Sequence, residues 1–340
     1  MVGDCDNYFI YIYSMVTISI LTLRNAVLAS IADSQHVFTM VNEFLERSGR
    51  APLFKVQLVG FSAEVKLNNG LFSLHPDTIL EDEYSTDLII IPSLSGDMMS
   101  ATYLNKDYAV WISKKYKNGA DVASLCTGAF LLAFSGLLNG KQCTTHWSYA
   151  NEFRHFYPSV TLIDERLITD QKGLYSSGGN NAYWNLLLHL VEKYAGREIA
   201  IHTAKYFVVD LDKNIQSPFI IFNGLKDHDD EAILNAQTFI EQNYLAKLTV
   251  DQIADKFHVS RRTFERRFKK ATRNTVTEYI QRVKMEVTKK QLEIGRSTIS
   301  EIMLGVGYTD IQTFRAVFKR ITGLTPNEYR NKYNKEVFIS

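Results

Sequence analysis

The stretch SRRTFERRFKKATR, Ser260 to Arg273, decides how this chain is read. Seven of its fourteen residues are Lys or Arg, and only Glu265 opposes them. Phe264 and Phe268 lie four apart, so on a helix they share one face while the cations cover the rest. Just upstream, Val250, Ile253, Ala254 and Phe257 in TVDQIADKFHV recur at helical spacing. A short helix, a tight break near His258 and a basic amphipathic helix with Ser260 as its N-cap form a helix-turn-helix pattern. A solvated charged helix in an ordinary bundle is the plainer alternative for this segment alone.

The same arrangement recurs further on. STISEIMLGV (297–306) predicts a short helix with Ile299, Ile302 and Met303 on one face. TDIQTFRAVFKRITG follows, capped by Asp310 or Thr309, with Ile311, Phe314, Val317 and Phe318 apolar. Between the two, Val276 to Ile294 is long enough for a connecting helix ended by Gly295. Two recognition helices joined this way would enter successive major grooves on one face of DNA, about 34 Å apart.

Residues from about Asp229 to Tyr333 resemble the AraC/XylS DNA-binding domain. The resemblance is carried by GYTDIQTFRAVFKRITGLTPNEYR, with Gly307, Tyr308, Phe314, Phe318, Lys319, Gly323, Pro326 and Tyr329. Gly323 suits a helix end and Pro326 a helix start. Residues near the starts of the recognition helices are expected at base edges: Arg261, Arg262 and Thr263 after Ser260, then Ile311, Gln312 and Arg315. Arg266, Arg267, Lys269, Lys270, Lys319 and Arg320 are expected at phosphates.

At 340 residues two domains are expected. Hydrophobic content of 46% and 22% charge suit ordinary folded cores. The net charge of +1 hides an asymmetry. From residue 229 onward 20 Lys and Arg face 14 Asp and Glu, a net of +6, so residues 1–228 carry −5. Only the C-terminal part has the electrostatics of a polyanion binder. The expected division is a ligand-sensing domain over 1–210, a linker over 211–228 and a DNA-binding domain over 229–340.

Cys5, Cys126 and Cys143 are too few and scattered for a disulfide framework or zinc site, which fits a reducing cytoplasm. The apolar run Tyr8–Leu23 lacks a basic start and is short for a membrane span. Val16–Leu23 reads as a buried first strand, and Met15 offers an alternative start. Downstream, strand-like and helix-like segments alternate: Ser34–Ser48 helix, Phe54–Phe61 strand, Leu88–Ile91 strand, Ser100–Lys117 helix, Asp121–Leu125 strand. The fold class expected is an α/β N-terminal domain, a mostly parallel flavodoxin-like sandwich, followed by an all-α C-terminal domain with two helix-turn-helix units.

DVASLCTGAFLLAFSG (121–136) places Cys126 at a strand-to-helix turn of small residues, like a nucleophile elbow. The following helix N-terminus would lower the thiol pKa; a small packed Cys is the alternative. With GLLNGKQCTTHWSYANEF (136–153), the elbow resembles the ThiJ/PfpI-like domain of the class I glutamine amidotransferase-like superfamily, in the GlxA-like branch fused to AraC-type domains.

Hydrolases of that superfamily place a His directly after the Cys, and here Thr127 stands there. They also use an acid after the first strand, and Val16–Ala32 contains none. No carboxylate is evident to orient His146. A binding pocket rather than a catalytic site is therefore expected, lined by Ser95, Gly96, Cys126, Thr127, His146, Trp147, Gly178 and Gly179. The Cys126 and Thr127 amides would hold an anion, and the two glycines would allow close backbone approach.

The expected partners are double-stranded promoter DNA, a small-molecule effector and a second copy of the chain through the N-terminal domain, with RNA polymerase a further one. The family resemblance favours an amine, amide or amino-acid-like effector. No cofactor, metal or membrane is expected. The competing readings are an active thiol hydrolase or amidase fused to a DNA-binding domain, and a redox sensor acting through Cys126, with Cys143 as a second thiol.

Overall fold

The structure, a computed structural model, describes residues 15–334 apart from 82, 180, 212–214, 227 and 247. Cys5, Met1 and the extension of the first strand before Met15 lie outside the described residues. The chain divides into two compact units, Met1–Gln216 and Ser217–Ser340.

The first unit begins β1 (Val16–Leu21), α1 (Leu28–Arg47), β2 (Phe54–Gly60), β3 (Val65–Leu67), β4 (Phe72–Leu74), β5 (Thr78–Ile79) and β6 (Leu88–Ile91). Next come α2 (Met98–Leu104), α3 (Lys106–Lys117), β7 (Asp121–Ser124), α4 (Ala129–Phe134), β8 (Gln142–Cys143) and α5 (Ala150–Phe156). The unit ends with β9 (Thr161–Leu162), β10 (Ile168–Gln171), β11 (Leu174–Ser177), α6 (Ala182–Ala195) and α7 (Arg197–Phe207).

Seven strands form the main sheet in the order β10-β11-β7-β6-β1-β2-β5. All pairs are parallel except β10 with β11. The central run β2-β1-β6-β7-β11 has the flavodoxin-like order, whose ligands bind beyond the carboxyl ends of the strands. Its apolar continuity explains the burial: all four residues of β6 are inaccessible, as a strand covered on both faces requires. Helices α1, α6 and α7 pack as one group and α2, α3 and α4 as another.

The single helix expected over Ser100–Lys117 is two. Asn105 separates them because its side chain is spent on the Arg24 amide and carbonyl and on the Ala101 carbonyl, so it works as a tertiary clamp instead of continuing the helix.

The second unit holds α8 (Glu231–Gln242), α9 (Val250–Lys256), α10 (Arg261–Thr272), α11 (Val276–Ile294), α12 (Ile299–Gly305), α13 (Ile311–Thr322) and α14 (Pro326–Tyr333). It is a duplication visible in its chemistry. Capping boxes open α9, α11, α12 and α14, with Thr249/Gln252, Thr275/Glu278, Thr298/Glu301 and Thr325/Glu328 in reciprocal bonds. Both recognition helices end alike, Thr272 and Thr322 bonding back to Phe268 and Phe318. One core gathers Ile240, Ile253, Phe264, Phe268 and Val283; the other gathers Met285, Ile302, Phe314, Phe318 and Tyr329. Helix α11 contributes to both, with Lys284 lying between Val283 and Met285.

Candidate functional site

In the second unit, His258 (φ 54°) makes the tight break before α10 and Gly307 (φ 76°) the break before α13. A non-glycine residue in the left-handed region is uncommon, and His tolerates it better than most. Phe264 and Phe268 are buried while Arg262, Arg266, Lys269 and Lys270 are exposed. On α13, Phe314 and Phe318 are buried while Gln312, Arg315, Lys319 and Arg320 are exposed. Each recognition helix therefore inserts its aromatic stripe in the core and turns its cations outward.

Four of the expected DNA contacts are qualified. Arg267 makes two bonds to Asp230, Nε at 2.9 Å and Nη2 at 2.6 Å; this two-pronged pair braces α10 against the start of α8 and occupies its guanidinium. Arg261 is held by Asp251 at 2.9 Å and Glu265 at 3.4 Å. Ile311 packs partly against the second core. Ser260 is the N-cap by position, yet its hydroxyl bonds the Thr263 hydroxyl at 3.1 Å and makes no cap bond to the helix backbone. The second cap is made by Asp310, which accepts from the Thr313 amide at 2.7 Å.

In the first unit, Cys126 stands at the carboxyl end of β7 with φ 54°, the strained turn of an elbow. Gly128 is required by space: a Cβ there would come within 2.6 Å of the Pro92 carbonyl oxygen and 2.7 Å of that of Ile91. Neighbouring loops stitch the elbow in place. The Cys126 amide donates to the Ser177 hydroxyl at 3.0 Å, and its carbonyl accepts from the Thr145 hydroxyl at 3.0 Å. The Thr127 hydroxyl donates to the Leu94 carbonyl at 2.7 Å and accepts from the Leu94 amide at 2.9 Å.

This stitching corrects several expectations. Cys126 and Thr127 are 2% and 3% exposed, and the Cys126 amide is already committed. Burial pushes the Cys126 thiol up to about 11, against smaller lowering by hydrogen bonds from Thr127 and Ser93. That direction is opposite to the helix-end reading, because burial, which disfavours the thiolate, is the largest influence on the thiol. Neither cysteine is in a disulfide, and Cys143 is likewise buried, its thiol pushed up by burial to about 12. The Ser95 amide is taken by the Asn25 carbonyl at 2.8 Å, and Ser95 and Gly96 are both exposed.

His146 is half-buried, and its Nδ1 accepts from the Ser148 amide at 3.1 Å with the Ser148 hydroxyl at 2.7 Å. That leaves Nε2 to carry the proton of a neutral ring, and burial lowers its pKa. Trp147 lies beside it, ring centres 5.5 Å apart. Gly178 and Gly179 do offer close approach, but to Gln216 of this same chain: the Gly179 amide donates to its Oε1 at 2.8 Å.

Two residues near the elbow carried no sequence signal. The Tyr183 hydroxyl donates to Asp33 Oδ2 at 2.6 Å, and the Tyr183 phenol is held above its usual pKa by burial, by Asp33 and by nearby Cys126. Asp33 sits one residue beyond the segment in which an acid was sought, on α1 rather than on the loop after β1.

A helix-turn-helix fold with an outward basic face, carried in one chain with an α/β elbow domain, defines a DNA-binding regulator. Residues 253–332 match the family model of a helix-turn-helix domain and residues 32–193 that of the DJ-1/PfpI family, so the chain joins an AraC-type helix-turn-helix domain to a DJ-1/PfpI domain. It is 23% identical over 316 residues to the HTH-type transcriptional regulator GbdR of Pseudomonas aeruginosa, spanning 92% of this chain and 84% of that one. It is 28% identical over 218 residues to the HTH-type transcriptional regulator ArgR of the same species, spanning 64% and 66%. Among solved structures, a transcriptional regulator protein from Vibrio parahaemolyticus matches with TM-score 0.51 at 22% identity, over 57% of this chain and 99% of that one. No helix among the described residues is long and apolar enough to cross a membrane.

Proposed function

We propose that this regulator senses a small molecule in its first unit, in the domain assigned to residues 1–210 and the segment that follows it up to Gln216, and answers by changing how residues 229–340 engage promoter DNA. The Cys126 elbow is the sensing site, and it binds without chemistry. The observation that carries this is the thiol's setting: it is buried and pushed up to about 11, its hydrogen bonds come from Thr127 and Ser93, and the Nδ1 of His146 is engaged by Ser148 instead of a carboxylate. A nucleophile needs the opposite shift and an oriented base.

On the DNA side, Arg262, Thr263, Gln312 and Arg315 read base edges, and Arg266, Lys269, Lys270, Lys319 and Arg320 touch phosphate. The protein acts in the cytoplasm as a dimer joined through its first unit, with RNA polymerase as a further partner at the promoter. An amine, amide or amino-acid-like effector remains the favoured class.

The test is a thermal-shift screen of such metabolites against wild type and Cys126→Ser, with product analysis of each hit. The expected hit stabilises both proteins and is recovered intact. A compound consumed by wild type and merely bound by Cys126→Ser would replace this reading with that of a thiol hydrolase.

A further inference from the structure

Gln216 closes the first unit in sequence and is 1% exposed. Its Oε1 accepts from the Gly179 amide at 2.8 Å. Its Nε2 donates to the Thr145 carbonyl at 3.0 Å, with the Thr144 hydroxyl and Arg166 carbonyl each at 3.3 Å. A primary carboxamide thus meets a donor at its oxygen and acceptors at its nitrogen. Three of these four partners are backbone groups, so the slot keeps its polarity whatever fills it. A Cβ on Gly178 would lie 2.5–2.7 Å from the terminal Gln216 atoms, and one on Gly179 would sit 3.7–3.8 Å from the His146 ring. The slot also shares walls with the elbow, since Thr145 bonds the Cys126 carbonyl and Ser177, next to Gly178, bonds its amide.

We infer that this slot is the polar end of the effector site, that the Gln216 carboxamide stands in for a primary carboxamide on the effector, and that effector binding expels Gln216. The inference rests on the sensing reading above. A carboxylate cannot substitute, because its oxygens would face the Thr145 and Arg166 carbonyls, and unpaired buried groups are what a polar site rejects most strongly. A tethered competitor has an effective concentration on the order of millimolar. The apparent affinity of the effector falls by the fraction of time the slot stands open.

Displacement has a route outward. The Gln216 amide is held by the Glu165 carbonyl at 2.9 Å, and Ile215 bridges to Arg166. Beside the side-chain anchor stands this short backbone attachment, and Ser217, the next residue, begins the second unit. Slot occupancy is thereby coupled to the chain that enters that unit.

Full-length wild type, Gln216→Ala and Gly178→Ala are titrated with acetamide, which carries the atoms that Gln216→Ala removes, and with acetate as control. Gln216→Ala is expected to bind acetamide about ten-fold or more tightly than wild type, and acetate far less. Gly178→Ala, whose methyl fills the slot, binds neither. Limited proteolysis within 211–228 should be several-fold faster in all slot-emptied variants, including the isosteric Gln216→Glu, which guards against a folding defect in the alanine variant. Equal acetamide affinity in wild type and Gln216→Ala, or equal binding of acetate, overturns the inference. A metabolite hit that binds wild type and Gln216→Ala alike removes Gln216 from the mechanism while the sensing reading stands. Acetamide capture by Gln216→Ala with no metabolite hit in any variant keeps the slot and rejects the sensing role.

Discussion

The Tyr279 hydroxyl donates to Glu241 Oε1 at 2.6 Å, and fifty residues later Tyr329 repeats the bond to Glu293 at 2.8 Å. Each tyrosine follows a recognition helix, and each glutamate lies near the end of the helix that precedes that helix-turn-helix unit. The bond fastens the helix after a DNA-reading helix to the one before the motif. Burial and the facing carboxylate push both phenols up, so the hydroxyls remain donors at any working pH.

Tyr279→Phe and Tyr329→Phe should each lower the stability of the second unit by about 1.5–3 kcal/mol, the worth of a hydrogen bond to a charged acceptor. Urea unfolding of the full chain, following the transition of this unit, measures it. No change in either variant would mean that the aromatic packing alone holds the joint.

Arg262→Ala is expected to relax sequence preference by about 1–3 kcal/mol at one base position. Lys270→Ala should instead weaken binding to every sequence and reduce the salt slope by about one. Competition binding over a salt series, on specific and random duplexes, separates the two. Parallel losses on both duplexes at each salt concentration would reject this division of labour.

Arg267→Ala should leave the salt slope unaltered, because its guanidinium is spent on Asp230. Its effect falls on stability, at about 1 kcal/mol after allowance for partial exposure. The Arg267 guanidinium holds the Asp230 carboxyl below its usual range. A depressed carboxyl contributes fully above its unfolded value, about pH 4, and the contribution fades as pH falls below that. Wild type and Asp230→Asn should thus differ at neutral pH and converge as the pH falls below about 4. A constant gap would show that the carboxylate charge is not the cause.

Iodoacetamide should alkylate native Cys126 about 100-fold more slowly at mildly alkaline pH than the same residue in the unfolded chain, given its raised thiol. The native rate should keep climbing well past the ordinary thiol range. A plateau near neutral pH would reveal an activated thiolate.

The second unit was legible nearly residue by residue, with the connecting helix running from Val276 to Ile294 as its sequence predicts. Its signals are local: capping threonines, a four-residue aromatic step, glycines past helix ends. The elbow was legible for the same reason, since small residues between a buried strand and a helix sit together in the chain. Strands such as β5 and β8, two residues long, are too short to show a period. The surroundings of the elbow were closed to the sequence because the partners there are far apart: Tyr183 reaches Asp33 across 150 residues, and Gln216 reaches Gly179 across 37. Asn105 looked like a tolerable helix residue until the Arg24 backbone claimed it.

Val283 belongs to one core and Met285 to the next, on one unbroken helix of 19 residues, about 28 Å long. The helix therefore acts as a ruler. Its two ends turn in step, so the angular phase of one reading head fixes that of the other. Five or so extra base pairs between the contacted segments, half a duplex turn, would carry the second groove to the far side of the DNA, where a rigid gauge cannot follow.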